Sequence, residues 1–589
     1  MLAQGTARIM LIDLNTEKCS VITREDLLEK LGGSGLAAAL YREYGIPEGN
    51  ALEPEQPLIL AIGPLTGLFP LMSKVVLGFK SPYSGHYAET HAGGRLALAL
   101  RYADLDAVII RGKAENPVYL VIGDRQFACK DARHLWGMDT TMTARTIRNS
   151  ESYARGRRSI IRIGRAGEKQ VSYACINVDT FRHFGRLGAG AVMGAKHLKA
   201  LMVAGEGSFD LPGNGSKASS KATNNASYKA LYKDIHQKIT ASSAMKKYHD
   251  LGTPVNVLKL NGLSSLPTRN LQSTHFENAE NISGEYFARK LLLRQIACSG
   301  CPVGCIHIGL LREKFGEEHE YSYKQVGYDH EPIFAAGSML GVSPGEDVIS
   351  LLEQAERCGL DIISCGVALA WATEAYRDGL LGIKETFVPL EFGNKDNYLQ
   401  AIMHLSDRSN HFYHLLGEGA LAAAAQYGGA DYACVLGQEM AGYATGPVFF
   451  VSQALGFRIS HLDTAGYQLD QEKETPSLEH ALQYLWEEEK ERLLLTSMVA
   501  CLFSRNIYSQ DVLASALEST GLSKLAGELD KRGAELCKER WRLKKDTGFD
   551  PLNVKLPRRF YEVETIHGPV SADYMDQLLR EYARTLKEI

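Results

Sequence analysis

The hydrophobic pattern divides the chain into a strand-rich first third and a helix-rich remainder. In the first part, short apolar or alternating runs bounded by turn residues predict β-strands. These runs cover residues 8–14, 58–62, 75–79, 107–111, 118–122, 160–163 and 201–203. Glycine-rich connections separate them at 32–35, 63–67, 91–94 and 185–190. The pattern therefore predicts a β-sheet domain over residues 1–208.

A polar stretch of small residues follows and predicts an exposed linker over residues 209–227. Beyond it, apolar positions recur at helical spacing. The predicted helices cover 231–251, 347–358, 366–381, 398–408, 417–427, 476–495 and 526–546. A chain of 589 residues is also longer than one hydrophobic core usually serves. The sequence thus predicts an α+β protein in which two mainly α-helical domains, 228–415 and 416–589, follow the sheet domain.

Composition and charge exclude several classes of function. Hydrophobic residues make up 45% and charged residues 23% of the chain, the formal net charge is -4 and the pI is near 6.5. These values are ordinary for a globular protein and give no basic surface for nucleic acid. The apolar N-terminal run is interrupted by Asp13, so it predicts neither a signal peptide nor a membrane span. The low cysteine content predicts a reducing, cytoplasmic location.

Three cysteines with the spacing C-x-x-C-x-x-x-C carry the clearest chemical signal. They are Cys298, Cys301 and Cys305, and Cys501 is a distant fourth candidate. Closely spaced thiolates can bind one face of a [4Fe–4S] cluster when glycine and proline turn the backbone, and a remote fourth ligand would join two parts of the fold. A structural zinc site uses the same ligands but usually includes a second C-x-x-C. The spacing favours the cluster, with zinc as the alternative.

The glycine-rich loops can bring backbone N–H groups close to a phosphate-bearing ligand, although each of them can simply close a tight turn. The last loop begins like a dinucleotide fingerprint at Gly188 and Gly190, but Met193 stands where the third glycine belongs. No acid follows at the spacing of a βαβ unit. We therefore exclude a dinucleotide site at this loop.

Several segments are weak signals one by one, but together and in this order they are specific for one protein family. They are 63–67, 80–82, 91–94, 106–113, 135–137, 163–168, 185–200, the cysteine triplet, 359–361 and Cys501. Over nearly the whole chain they resemble the tungsten-containing aldehyde:ferredoxin oxidoreductase family. The resemblance implies an N-terminal β-sheet domain that binds a bis-pyranopterin with tungsten or molybdenum, helical domains that cover it, and a [4Fe–4S] cluster beside one pterin. It also implies Mg²⁺ between the pterin phosphates.

The resemblance further implies which residues hold these groups. Cys298, Cys301, Cys305 and Cys501 would ligate the cluster. The cofactor-binding positions would be Lys74, His91, Gly93, Gly94, Arg182, His183, Gly185, Arg186, Glu356, Leu360, Asp361 and Leu502. Lys74 stands where the family commonly has an arginine between pterin and cluster, and lysine keeps the charge without the planar guanidinium.

Two residues are candidates for chemistry at the substrate. Glu331 aligns with the family's active-site glutamate and would act as general base or position water; the alternative is an acid at a helix start. Cys365 is a candidate ligand to tungsten or molybdenum, as in the tungsten subunit of benzoyl-CoA reductases, or else an ordinary buried cysteine. The family's active-site histidine would fall near Gln453, and His461 lies too far along the sequence to be assigned its role.

The leading hypothesis is an oxidoreductase that converts an aldehyde to a carboxylate and passes the electrons to ferredoxin or a partner Fe–S subunit. An alternative is a catalytic subunit that reduces an aryl-CoA or another activated acid within a larger electron-transfer complex. A third is a non-catalytic Fe–S relay subunit, because the family's histidine is absent and Thr496 replaces one carboxylate of its second pterin motif. An oligomer is compatible with each of these hypotheses.

Overall fold

The strands of the N-terminal part form two six-stranded sheets in the computed structural model, which describes residues 5–123, 126–153, 156–207, 225–317 and 319–589. Most of the predicted linker, 209–227, lies outside the described residues. In chain order the strands are β1 Ala7–Asp13, β2 Lys18–Arg24, β3 Leu58–Ala61, β4 Val75–Lys80, β5 Tyr87–Ala92, β6 Ala107–Arg111, β7 Val118–Ile122, β8 Phe127–Asp131, β9 Arg158–Arg162, β10 Ile176–Val178, β11 Arg182–Phe184 and β12 Leu198–Ala204.

The two sheets are mixed and share buried side chains. The first has the order β2-β1-β6-β3-β4-β5, with β1 parallel to β6, and the second has the order β11-β10-β9-β12-β7-β8, with β7 parallel to β12. Leu60 and Val108 from the first sheet and Leu120 and Leu201 from the second belong to one buried cluster. Each such side chain stabilises the fold by about 1.5–3 kcal/mol when it leaves water. The prediction that the N-terminal part is built from β-sheets is confirmed.

Short helices lie between the strands of the N-terminal part, and the chain from residue 225 onward is mainly helical. The helices are α1 Gly33–Tyr44, α2 Leu96–Tyr102, α3 Thr140–Ser150, α4 Arg165–Glu168, α5 Ala189–Ala195, α6 Asn225–Ala241, α7 Ser243–Asp250, α8 Asn256–Gly262, α9 Gly284–Lys290, α10 His330–Ala336, α11 Gly345–Cys358, α12 Ile362–Arg377, α13 Ile383–Thr386, α14 Lys395–Asp407, α15 His411–Leu416, α16 Ala420–Tyr427, α17 Pro447–Ala454, α18 Gly466–Leu469, α19 Leu478–Ser497, α20 Gln510–Ser519, α21 Ser523–Ala526, α22 Leu529–Asp546 and α23 Ala572–Glu588. A three-stranded sheet, β13 Leu292–Ile296, β14 Ile306–Lys314 and β15 Tyr321–Tyr328, and a small pair, β16 Glu564–Thr565 and β17 Gly568–Pro569, complete it.

The α+β prediction is confirmed, but three local predictions are wrong. The helix predicted over 231–251 is two helices, because Ser242 is extended and its hydroxyl accepts from Met245 N as the cap of α7. The sheet β13 to β15, which holds the cysteine triplet between its first two strands, lies within the part 228–415 that was predicted to be mainly helical, and none of its strands was predicted. The glycine-rich run at 32–35 begins helix α1 instead of a loop.

Close packing explains the glycines at the start of α1. A Cβ at Gly33 would lie 2.1 Å from the carbonyl oxygen of Thr496, and one at Gly35 would lie 2.3 Å from the carbonyl oxygen of Lys30. Gly33 therefore lets α1 approach the end of α19, close to Cys501, and Gly35 lets it approach the backbone of the preceding segment, where any side chain would collide. Among the described residues, no helix combines the length and the apolar character that crossing a bilayer requires.

Candidate active site

One cavity of about 700 Å³ brings together residues from the N-terminal sheets and from the helical part. The residues predicted from the sequence that line it are Lys74, His91, Arg182, His183, Gly185, Arg186, Cys298, Cys301, Cys305, Glu331, Glu356, Leu360, Asp361, Cys501 and Leu502. Gly93, Gly94 and Cys365 were predicted as well and do not line the cavity. Most of the predicted site residues therefore converge on a single cavity.

Backbone hydrogen bonds bring the cysteine triplet and Cys501 together. Leu71 N donates to Gly300 O (3.3 Å), and Cys501 N donates to Leu71 O (3.0 Å). Residue 71 therefore joins the two cysteine-bearing segments. Gly300 and Gly304 have φ values of 70° and 66°, which turn the chain between the three cysteines at little cost only because these residues are glycine.

The charged groups around Arg182 also indicate that the cysteines of the two segments lie close together. Burial alone would lower the pKa of this guanidinium, but Cys298, Asp329, Cys305 and Cys501 raise it. Cysteines from two distant segments thus surround one cation. Burial raises the pKa of the Cys301 and Cys305 thiols to about 12, so these thiols lose their protons only to a strong electrophile such as a metal.

Within the described residues, no group of three or more histidine, cysteine and acidic side chains is close enough to hold one metal ion. A zinc ion requires four ligands around a single point, at about 2.3 Å for each sulfur. A four-iron cluster is larger and binds each thiolate at a separate iron. All four cysteines line the same cavity, and the choice between cluster and zinc is a matter for metal analysis.

Gly93 and Gly94 contact Cys298. A Cβ at Gly93 would lie 2.7 Å from Cys298 Sγ, and Gly94 N donates to the same sulfur (3.2 Å). Lys74 Nζ is 3.3 Å from that Cβ position, so its ammonium group lies beside the cysteine. These residues were predicted to bind the pterin cofactor, and in the structure they surround a candidate cluster ligand.

A second group of residues pairs charges across the cavity. Arg182 faces Asp329 (Nη2–Oδ2 3.7 Å), and Arg186 faces Asp361 (Nε–Oδ2 3.6 Å). Arg186 Nε and Nη1 are nevertheless buried without a hydrogen-bond partner. Nothing in the structure lies within 4 Å of a Cβ built on Gly185, so this backbone faces open space. Guanidinium groups beside bare backbone suit the anionic oxygens of a ligand.

Two further acids of the cavity, Glu356 and Asp361, come from the end of α11 and the start of α12. His183 Nε2 lies 2.5 Å from Glu356 Oε2. Burial would raise the pKa of Glu356, but His183 and Arg162 outweigh it and lower this pKa to about 2. Asp361 accepts from Ser364 N (3.0 Å) and caps α12, and Leu360 forms a β-bridge with Ala174. The turn between α11 and α12 is therefore fixed against the sheet domain.

His91 lies in a buried network of charges. Its Nε2 is 3.5 Å from Glu89, and its Nδ1 is 3.2 Å from Arg458 Nη1. Arg540 joins Glu89 (3.5 Å) to Glu489 (3.0 Å) behind it. Burial and the cation Arg458 lower the pKa of His91 to about 4, so the imidazole is neutral at neutral pH.

Glu331 faces His461 in the cavity. Gly442 N donates to Glu331 Oε2 (2.9 Å), and His461 Nδ1 is 3.5 Å from Glu331 Oε1. Neither Oε1 nor Nδ1 has a hydrogen-bond partner among the described residues. Burial raises the pKa of Glu331 to about 8 and, with Arg186, lowers that of His461 well below its ordinary value. A carboxylate tuned toward neutral pH beside a neutral imidazole can accept and release a proton.

Sequence reasoning missed His461 and placed the histidine position at Gln453. Gln453 is fully buried and accepts from Ala441 N (3.0 Å), so it supports the backbone and does not line the cavity. His461 instead enters from a turn in which Asp463 binds Arg458 (2.7 Å). Cys365 is fully buried inside α12, and its surroundings are those of a core cysteine.

Comparison with known families identifies the group to which this architecture belongs. The family model described as aldehyde ferredoxin oxidoreductase, N-terminal domain, matches residues 9–205, and the model for domains 2 and 3 of the same enzymes matches residues 230–586. The chain belongs to the aldehyde ferredoxin oxidoreductase family. Its members are oxidoreductases, and the family resemblance inferred from the sequence is confirmed.

Individual relatives within and around the aldehyde ferredoxin oxidoreductase family show the range of similarity. Tungsten-containing aldehyde ferredoxin oxidoreductases of Pyrococcus furiosus and Thermococcus kodakarensis are each 33% identical, over 72% of this chain and 67% and 68% of their own lengths. The WOR-like subunit of an aliphatic sulfonate oxidoreductase of Pyrococcus furiosus is 30% identical over 71% of this chain and 66% of its own. The active-site complex BamBC of benzoyl coenzyme A reductase, solved with 1,5-dienoyl-CoA, shares the fold with a TM-score of 0.81 at 18% identity, over 98% of this chain and 94% of that one.

Proposed function

We propose that this chain oxidises an aldehyde to a carboxylate with a tungsten or molybdenum bis-pyranopterin, and releases the electrons through a [4Fe–4S] cluster to ferredoxin or a partner Fe–S subunit. The observation that carries the proposal is the Glu331–His461 pair, which lines the same cavity as the four cysteines. The 33% identity to tungsten-containing aldehyde ferredoxin oxidoreductases supports the choice of metal and substrate class.

The residues fit these groups. Cys298, Cys301, Cys305 and Cys501 would hold the cluster. Lys74, His91, Arg182, His183, Gly185, Arg186, Glu356, Leu360, Asp361 and Leu502 would hold the pterins, with Mg²⁺ between their phosphates. The unpartnered nitrogens of Arg186 and the bare backbone at Gly185 are the features that anionic ligand oxygens would satisfy. Gly93 and Gly94 would support the cluster by their contact with Cys298.

When bound, the metal and cluster supply the two-electron oxidation and the one-electron transfers. The chain supplies the proton chemistry. Oxidation of an aldehyde adds one oxygen atom from water and releases two electrons and three protons. Glu331 Oε1 is buried and unpartnered, so it can take a proton from the attacking water. His461, neutral and 3.5 Å away, can donate a hydrogen bond to the substrate oxygen from its other nitrogen or receive the next proton.

The reductive alternative, which acts on an aryl-CoA, draws support from the likeness to the BamBC complex, and at 18% identity that likeness concerns the fold alone. Its candidate thiolate ligand, Cys365, does not line the cavity. The relay alternative rested on a missing histidine and on Thr496 in place of a carboxylate. His461, 3.5 Å from Glu331, can supply the imidazole, which supports the catalytic proposal, whereas Thr496 stays a departure from the family pattern. Aldehyde oxidation is therefore the better-supported function.

An activity comparison on anaerobically purified protein tests the proposal. We expect oxidation of benzaldehyde or acetaldehyde with benzyl viologen as acceptor, and no reduction of benzoyl-CoA with a low-potential donor. Reduction of benzoyl-CoA without aldehyde oxidation would replace the proposal by the reductive alternative. Failure of both reactions in protein that carries tungsten or molybdenum would favour the relay hypothesis.

A further inference from the structure

Besides Lys74 next to Cys298, three further cations line the cavity without taking part in the pairs described above. They are Lys247 on α7, Lys259 on α8 and Arg505, which follows Cys501. None of them forms an ion pair with a carboxylate among the described residues. Lys247 and Lys259 are exposed, whereas Glu331 and His461 each expose only 13% of their side chains, so the lysines mark the side of the cavity that opens to solvent.

The carboxylates of the cavity are all engaged elsewhere. Glu89, Asp329, Glu356 and Asp361 face Arg540, Arg182, His183 and Arg186, respectively. Glu331 accepts from Gly442 N, and Glu488, just behind the wall, binds Arg492 (2.7 Å). The outer part of the cavity therefore carries uncompensated positive charge.

Like charges face each other at this opening. Burial lowers the pKa of Lys247, and the neighbouring charge of Lys259 lowers it further. Two ammonium groups that share one cavity, neither of them paired with a carboxylate of the described residues, repel each other, and an anion between them removes that repulsion. An arrangement of this kind is stabilised by a negatively charged ligand.

An aromatic wall connects these cations to the Glu331–His461 pair. The Tyr443 ring lies 5.3 Å from the His461 ring and stacks on Tyr467 at 4.7 Å. Tyr248 stacks on Phe503 at 4.2 Å, and Lys247 Nζ lies 5.1 Å from the Tyr248 ring. All four rings line the cavity. The surface between the catalytic pair and the opening thus carries four aromatic rings and has cations at its outer end.

Helix α8 holds Lys259 at a fixed position relative to the Glu331–His461 pair. Thr253 accepts from His330 N (2.8 Å), which ties the turn before α8 to the start of α10, where Glu331 lies. Asn256 and Lys259 both line the cavity and are one helical turn apart, about 4.5 Å along the axis. A ligand that reaches from Glu331 toward solvent along α8 therefore meets Lys259.

We propose that the substrate is an aldehyde that carries an anionic group, a carboxylate or a phosphate, at the end remote from the carbonyl, and that Lys247, Lys259 and Arg505 bind that group. This inference rests on the proposed aldehyde oxidation. The carbonyl faces Glu331 and His461, the body lies along Tyr443 and Tyr467, and the anion meets the cations at the opening. These cations select the substrate and take no part in the oxidation.

Matched pairs of aldehydes test the inference. Succinate semialdehyde and butyraldehyde have the same chain length and differ in a terminal carboxylate; glyceraldehyde 3-phosphate and glyceraldehyde form the phosphate pair. With benzyl viologen as acceptor, we expect the anionic member of one pair to have a kcat/KM about tenfold to hundredfold higher. The pair with the larger ratio identifies the anion.

The double variant K247Q/K259Q should lose this preference through a higher KM for the anionic aldehyde, with its kcat and the constants for the neutral aldehyde unchanged. K246Q is the matched control, because Lys246 pairs with Asp250 (2.6 Å) and does not line the cavity. An unchanged preference in the double variant, or a wild-type preference for neutral aldehydes, would overturn the inference. If the double variant instead raises only the KM of an acidic protein acceptor, the cations serve partner docking and the inference is wrong.

A titration without turnover separates this inference from the proposed function. Calorimetric titration of the anaerobic holoenzyme with succinate, the expected product of the carboxylate pair, and with inorganic phosphate should show binding of the anion that the site prefers. The affinity of the anion that binds should fall at least about tenfold in K247Q/K259Q and stay unchanged in K246Q. If the protein oxidises no aldehyde but shows these differences in anion affinity, the proposed reaction is contradicted and the anion site is retained. Equal affinities in all three proteins would overturn the anion site.

Discussion

Replacement of Glu331 by glutamine should lower kcat for aldehyde oxidation by about 10²–10⁴-fold, the range that a positioned general base contributes. Glutamine keeps an oxygen that can accept from Gly442 N, so the geometry of α10 is retained. It removes the one carboxylate among the described residues that forms a pair with His461, and therefore the group proposed to take a proton from water. Stopped-flow or steady-state viologen reduction measures the effect, with tungsten and iron content determined on the same sample.

The pH dependence gives a second readout of the same residue. Burial raises the pKa of Glu331 to about 8, so the base form is present above that pH and is lost as the pH falls. The wild-type kcat/KM should therefore rise with pH through this region, and the rise should be absent in E331Q.

A matched control distinguishes catalysis from a general effect of removing a buried acid. Glu353 on α11 is also largely buried, and burial raises its pKa, but it faces Arg357 and does not line the cavity. E353Q should keep near wild-type activity. Wild-type activity in E331Q would remove this carboxylate from the mechanism.

Replacement of Cys501 by serine should abolish most of the bound iron and, with it, electron transfer to viologen. Serine is a far weaker ligand for iron in a cluster, and Cys501 is the thiolate that reaches the triplet from a distant segment through Leu71. We expect the iron content to fall from about four atoms per chain toward zero. Iron analysis and the visible absorbance of the anaerobic protein measure it.

Cys19 provides the control for that variant, because it is a partly exposed thiol on β2 that does not line the cavity. C19S should retain its iron. Full iron content in C501S would mean that the cluster, if present, takes its fourth ligand from elsewhere. Loss of iron in both variants would point to a general effect of purification or folding.

The parts of the site that the sequence predicted are those that local spacing encodes. The triplet Cys298, Cys301 and Cys305 needs only a short turn, and glycines with positive φ make that turn. Seven strands of the two sheets were likewise predicted, since buried strands such as β3 form continuous apolar runs, whereas β2, β5, β8, β10 and β11 were not predicted. The convergence of Cys501 on the triplet required the family resemblance, because no local pattern records a contact across the fold.

The parts that were missed depend on tertiary packing. His461 reaches Glu331 only through a turn fixed by Arg458 and Asp463, so its position along the sequence was misleading. Cys365 lies one helical turn beyond the cap residue Asp361, and that turn carries it into the core instead of toward the cavity. The glycines at the start of α1 resembled a loop, because composition does not show that a Cβ at Gly33 would lie 2.1 Å from Thr496 O.

The central claim is that one cavity holds both a metal–pterin cofactor and a four-iron cluster. The most direct test is the elemental and pterin content of the wild-type protein, purified without oxygen and measured per chain. The account predicts one tungsten or molybdenum, a pterin, and about four irons. Folded protein that contains zinc in place of iron, or that holds neither tungsten nor molybdenum after expression with both metals supplied, would contradict it.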